Sequence, residues 1–374
     1  MGVATITLAS DNGDSVVVSA PNDDFLLDDI VLDTDPKGMY DTGFQLRKQS
    51  GAFEYGGRVV GQQVPIRELT LPFWLTPASR PRFQRLWGTP GNFRKVLYTY
   101  DGPSGARSLT VRLDKEISYT TEEGFDADIN AVYHAVVVAI AINPMFEAAE
   151  DVQTWTNPGG TFTVTASGSD PFTLTFGAST TPGLAVDANA ATVQAAVEAL
   201  PSVGAGNVTV TKTSANWKLV FTIAGTLTGS GANVSGGYQV NTGWFEVWNP
   251  TDQNLWLEWD FDPAYTWQFP DFGFGQERKW GRPAGADAAR MITTPPLTQL
   301  LSVMSNPLMD TYVNADLSNA AGLFNGVEPV YPVPPYTGTE DDPVLVPVVC
   351  NGGVGAAATL RQRRFWSAES GLEA

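Results

Sequence analysis

Val64-Pro-Ile-Arg-Glu-Leu-Thr-Leu-Pro-Phe-Trp-Leu75 decides the fold class. Its apolar and polar residues alternate over part of its length, as they do in a strand with one buried face. A short helix follows. Ser79 stands at its N-cap, Pro81 falls in its first turn, and Phe83, Leu86 and Trp87 share one face. Gly88 and Pro90 end it. Three more strands are expected at 95–100, 107–113 and 131–142, and the last is nearly all apolar, as suits the centre of a sheet. Residues 1–150 therefore read as one β-rich domain with a single helix.

Composition changes beyond residue 155. Residues 155–240 are rich in Thr, Ser, Ala and Val and poor in charge. Glycine-rich stretches at 156–160 and 229–237 bound them and read as surface linkers. Strands are expected at 162–166, 172–176, 208–212 and 218–223. Between them Asn189 can cap a helix whose Val193, Val197 and Leu200 lie on one face. This segment reads as a small α+β module inserted at a loop of a host fold. Residues 241–304 return to aromatic strands. In Leu255-Trp-Leu-Glu-Trp-Asp-Phe-Asp262 the odd positions are apolar, and Trp256 faces the other way with Glu258, Asp260 and Asp262. A short helix is expected within 291–304. Residues 305–374, with Tyr331-Pro-Val-Pro-Pro-Tyr336, read as an extended Pro-rich arm. The fold class is mainly β.

The chain of 374 residues is 43% hydrophobic, enough for real cores, and its 37 Gly and 26 Pro suit short strands and turns. Its net charge of −18 disfavours a nucleic-acid grip and an anionic membrane surface. The longest plainly apolar run, 135–142, is far short of a membrane span. The one cysteine, Cys350, permits no internal disulfide, and the first basic residue is Lys37. Both point to synthesis in a reducing cytoplasm without a signal peptide.

Catalytic patterns are sparse. The one histidine, His134, lies inside an apolar strand and reads as structural. Asp126-x-Asp128-x-Asn130 begins like a calcium loop but has Ala131 and Val137 where glycine and glutamate are needed. Gly353-x-Gly355-x-x-Ala358 lies too near the end of the sequence for a dinucleotide unit, and Asp271-Phe-Gly273 reads as a turn. Glu246 and Glu258, expected on adjacent strands, form the carboxylate pair that best suits a glycosidase. No cofactor, metal or catalytic residue is assigned. Six of the eleven tryptophans fall between Trp244 and Trp280. They read as core or subunit contacts, with Trp256 the one to test for a partner or a glycan.

Residues 67–75, 94–100 and 106–113 around the single helix, followed by Val247-Trp-Asn-Pro-Thr-Asp-Gln-Asn-Leu-Trp-Leu257, resemble a distal tail protein of phages with long non-contractile tails. Ser302-Val-Met-Ser-Asn-Pro-Leu-Met-Asp-Thr-Tyr-Val-Asn314 is similar to minor tail proteins of phages infecting actinobacteria. Residues 190–200 with Gly206-Asn-Val-Thr-Val210 resemble a small module recurring in phage and bacterial surface proteins.

The resemblance implies a non-enzymatic virion protein at the tail tip, made in the host cytoplasm. It implies a ring, usually a hexamer, with residues 1–150 as its belt and a galectin-like sandwich facing outward. Implied partners are the tail tube protein, the tape-measure protein and other tip and receptor-binding proteins, with DNA passing only transiently through the channel. No membrane insertion is expected. Acidic residues of 23–35 are candidates for lining the channel. The competing readings are a glycan-binding adhesin and, less favoured, an enzyme cleaving cell-wall polymer.

Overall fold

The computed structural model describes residues 4–21, 29–40, 42–52, 55–89, 91–120, 132–157, 160–166, 168–223, 225–237, 241–263, 266–351 and 355–372. It is mainly β, with short helices, and divides into two compact units. The first comprises 1–150, 249–255 and 363–374; the second comprises 151–248 and 256–362.

The first unit is built on a sheet of antiparallel pairs. Its main path runs Ser15–Ser19, Thr5–Ser10, Val96–Gly102, Gly105–Leu113, Tyr133–Ala141, Arg67–Leu75, Ile30–Leu32. Arg67–Leu75 buries alternate residues, and Leu69, Leu71 and Phe73 are fully buried. Tyr133–Ala141 lies between two long neighbours, as its apolar content predicts, but its alternate residues keep partial exposure. The helix Arg80–Trp87 lays Phe83, Leu86 and Trp87 into this core, with Pro81 in its first turn. Ser79 makes no side-chain cap bond; its Oγ donates instead to the carbonyl of Asp29 at 2.8 Å.

Residues 363–372 return to this unit as a strap. Phe365–Trp366 pairs with Phe146–Ala148. Arg107, 1% exposed, donates to the carbonyls of Ala368 and Gly371 at 3.0 and 2.9 Å, and its guanidinium lies 3.7 Å from the centre of the Trp366 ring. Arg67 donates to the carbonyls of Ser367, Gly38 and Met39. Tyr98 donates to Glu369 at 2.8 Å.

In the second unit, one sheet orders Asp151–Thr156, Ala357–Gln362, Leu257–Phe261, Leu301–Met304 and Tyr312–Asn314. The other orders Asn241–Val247, Val344–Asn351, Thr266–Pro270 and Met291–Thr293. Aromatic rings join them: Phe245 meets Trp259 edge-on at 5.2 Å and Phe261 meets Trp267 at 5.3 Å. Gly243 is required here, because a Cβ at this position would lie 2.4 Å from the Trp155 ring.

Three expectations need correction. The arm at 305–374 is not extended arm throughout: within it Val344–Asn351 and Ala357–Gln362 are strands that pair on both sides within the two sheets. Proline is tolerated because pairing with Thr266–Pro270 spans only Val349–Asn351, beyond Pro347. The helix expected within 291–304 is replaced by strands Met291–Thr293 and Leu301–Met304. The linker expected at 229–237 is two strands, Leu227–Ser230 and Ala232–Gly237. Its glycines serve close approach, since a Cβ on Gly236 would stand 2.6 Å from the Thr161 carbonyl oxygen.

The α+β module keeps its own core around Phe162, Val193, Val197, Trp217 and Phe221. The helix Ala190–Glu198 is capped by Asn189, whose side chain accepts from the Thr192 amide at 2.8 Å.

Candidate assembly surface

Strands Gln45–Gln49 and Arg58–Gln63 form a two-stranded sheet that pairs with no other strand among the described residues. No residue of either strand is buried. The register divides its faces. Gln45, Arg47 and Gln49 stand opposite Gln63, Gly61 and Arg58, and this face is polar. Arg47 donates to Gln63 at 3.0 Å, and Arg58 donates to Gln49 at 3.3 Å. The other face places Leu46 opposite Gln62 and Lys48 opposite Val59. The register slips between Arg47 and Lys48, which leaves Val60 as the extra residue. Val59 and Val60 are more than half exposed, and Phe44 and Ile66 just outside the strands are equally open.

An isolated two-stranded hairpin is at best marginally stable in water. This one has no core beneath it, yet it presents branched apolar side chains to solvent. Its two strands also carry three cations and no carboxylate, in a chain of net charge −18. Exposed apolar strand surfaces of this kind are where another chain can pair or pack.

The sequence analysis missed this hairpin because its side chains bury no face within their own chain, so no alternation marks it. The available signal was turn chemistry: Gly51, Gly56 and Gly57 lie between two short runs containing Leu46 and Val59-Val60.

His134 has both ring nitrogens engaged. Nε2 lies 3.2 Å from Asp33 Oδ2, Nδ1 lies 3.2 Å from Thr120 Oγ1, and Trp74 packs on the ring at 4.8 Å. Asp33 is held below the usual carboxylate range, chiefly by the amide of Thr34 and further by Trp74 and His134. The cluster ties three strands of one sheet together, which is a structural role for the histidine.

Glu246 and Glu258 are not on adjacent strands as expected; each lies in a different sheet of the second unit. Asp271 of the expected turn is buried and pairs with Arg290, and it accepts from the amides of Val330 and Tyr331 at 3.0 Å. Asp287 accepts from Tyr331 and Arg282 at 2.5 and 2.7 Å. These bonds pin residues 271–290 to 328–331. The calcium-like run 126–130 and residues 23–28 of the acidic run 23–35 lie outside the described residues. Among the described residues, no group of three or more metal-ligating side chains converges, and no helix is long and apolar enough to cross a membrane.

Trp256 is half-buried and stands just before the strand Leu257–Phe261. Trp244, which the sequence analysis did not single out, is 59% exposed. It lies opposite Pro347 on the outer face of its sheet, because Phe245 and Val247 take the inner face.

No family model matches the sequence, and no curated protein matches it. Among solved structures the chain is similar to the Dit (gp 19.1) protein of phage SPP1, with a TM-score of 0.44 and 11% identity over 96% of this chain and 98% of that one. It is also similar to a chain of the phage P2 baseplate in its activated conformation, with a TM-score of 0.37 and 8% identity over 97% and 98%.

Proposed function

We propose that this chain is a structural protein of a bacteriophage tail tip that works by self-assembly and docking and catalyses no reaction. The observation that carries self-assembly is the hairpin of residues 45–63, exposed on both faces and carrying Leu46 and Val59 on one. The place in a tail comes from the sequence resemblance at 67–75, 94–100, 106–113, 247–257 and 302–314. In this reading the chain closes into a ring, six copies being the expected number, at the end of the tail tube. The first unit forms the belt, and the galectin-like sandwich docks tip and receptor-binding proteins. Tube and tape-measure proteins are neighbours, and DNA passes through the channel.

Electron imaging and light scattering of the wild type against a Leu46→Ser/Val59→Ser/Val60→Ser variant test this. The wild type is expected to form rings at high concentration or on its tube protein. The variant is expected to stay monomeric at an unchanged melting temperature, since none of the three side chains is buried. A variant that assembles like the wild type refutes the role of the hairpin, and a wild type monomeric under both conditions refutes the assembly reading.

Exposed Trp244 favours a second reading, a glycan-binding adhesin. An aromatic face on the edge strand of its sheet offers an apolar platform to a sugar ring. Binding in a glycan screen that Trp244→Ala abolishes and Trp256→Ala spares would support it.

A further inference from the structure

The first unit carries a recess of about 310 Å³ lined by Gln84, Gly88, Phe93, Leu113, Ile117 and Tyr119, with Glu116 beside them. Phe93 is 59% exposed, and Leu113, Ile117 and Tyr119 keep part of their surface open to it. The recess is mostly apolar, and among the described residues its one charged lining residue is a carboxylate. Its volume is at the bottom of the range for small-molecule pockets, about 300–1,000 Å³. It suits a few inserted side chains better than a cofactor.

The hairpin is its chemical complement. One face offers Leu46 and Val59, and Lys48 stands directly opposite Val59. We propose that this face of one copy docks into the Phe93–Ile117 recess of the next, with Leu46 and Val59 against Phe93, Leu113 and Ile117, and Lys48 against Glu116. The inference rests on the self-assembly reading and specifies which two surfaces meet. The occupant is a second copy because one chain supplies both halves of the match: an apolar face with a cation, and an apolar hollow with a carboxylate. Two different patches meeting make a heterologous contact, and such contacts propagate around a closed ring or along an open filament. The polar face of the hairpin, with Arg47 and Arg58 held by glutamines, is left outside the recess.

Cysteine trapping tests the contact directly. The one native cysteine, Cys350, is fully buried, so introduced thiols report without background. Val59→Cys and Ile117→Cys are made in separate full-length chains and also together in one chain. Under mild oxidation each single variant alone is expected to stay uncross-linked, their mixture to give covalent dimers, and the double variant to give a ladder of higher species. Lys48→Glu is expected to abolish trapping in the mixture, and adding Glu116→Lys to restore it. Assembled particles that yield no cross-link in the mixture overturn the recess while leaving self-assembly standing. Dimers of Val59→Cys alone overturn it in favour of a hairpin-to-hairpin contact. Chains that neither assemble nor cross-link, even on the tube protein, overturn the self-assembly reading and this inference with it.

Discussion

Replacing Arg107 with methionine isolates the strap at 363–372. The side chain is 1% exposed and spans two carbonyls and one indole ring. Hydrogen bonds from a charged donor contribute about 1.5–3 kcal/mol each, so the pair accounts for about 3–6 kcal/mol. A desolvated cation over an aromatic face adds about 2 kcal/mol. Burying the guanidinium costs several kcal/mol, which methionine escapes while filling a similar length. The net expectation is a loss of about 3 kcal/mol, a large share of the roughly 5–15 kcal/mol that holds a domain together. For a unit of this size each kcal/mol moves the melting point by about 2–4 °C, so the transition falls by about 6–12 °C. Scanning calorimetry of the full chain reads this, with the loss expected in the transition of the first unit and carboxypeptidase sensitivity rising at the C-terminus. A shift below about 2 °C, equivalent to less than 1 kcal/mol, would refute the view that Arg107 holds the strap.

The strap also sets a pH dependence. Burial holds the Glu369 carboxyl above the ordinary glutamate range, while the Tyr98 hydroxyl and the nearby charge of Arg67 pull it back. A carboxyl raised on folding contributes fully below its unfolded pKa of about 4.3, and that contribution is lost as pH rises through the folded value. Glu369→Gln keeps an acceptor for Tyr98, so it is expected to match or exceed the parent in melting temperature at neutral pH. The advantage should grow upward from about pH 4.3; a parent-minus-variant difference independent of pH would contradict this. Gly38, at φ +88°, has the Glu68 carbonyl oxygen 2.2 Å from where a Cβ would stand. Gly38→Ala is therefore expected to destabilise the first unit by more than the roughly 1 kcal/mol of an unfavourable φ alone, as read by urea denaturation.

Local pattern carried the parts of the fold that bury their own side chains. Arg67–Leu75 alternates because Leu69, Leu71 and Phe73 face a core. Phe83, Leu86 and Trp87 mark a helix because one face of it is buried. The rest depends on partners far along the chain. Val344–Asn351 looked like an arm because prolines crowd it, yet it pairs with Asn241–Val247 about a hundred residues earlier. At 297–304 the spacing of Leu297, Leu300, Leu301 and Met304 imitates a helical face, but Leu301–Met304 is drawn into a ladder with Leu257–Phe261. Arg67 and Arg107 sit on strands where charge suggests solvent; both are buried because they bond carbonyls some 260 to 300 positions away. The candidate surface was the least legible part. A hairpin exposed on both faces has no buried side chains to set a period, and Trp244 differs from the core tryptophans only in which side of its strand it takes.

The strap has a consequence for synthesis. The first 150 residues hold most of their unit, but the Phe365–Trp366 strand and the Tyr98–Glu369 bond cannot form until the polypeptide has grown past residue 369. Between Glu150 and Arg363 lie 212 residues that belong mostly to the other unit. At roughly 5–20 residues per second the ribosome needs about 10–40 s to add them. For that interval the first unit lacks its last strand and the carbonyls that Arg107 bonds. Completion of the first unit therefore waits for nearly the whole polypeptide, and its buried Arg107 and Tyr98 meet their strap partners only after the second unit has been made.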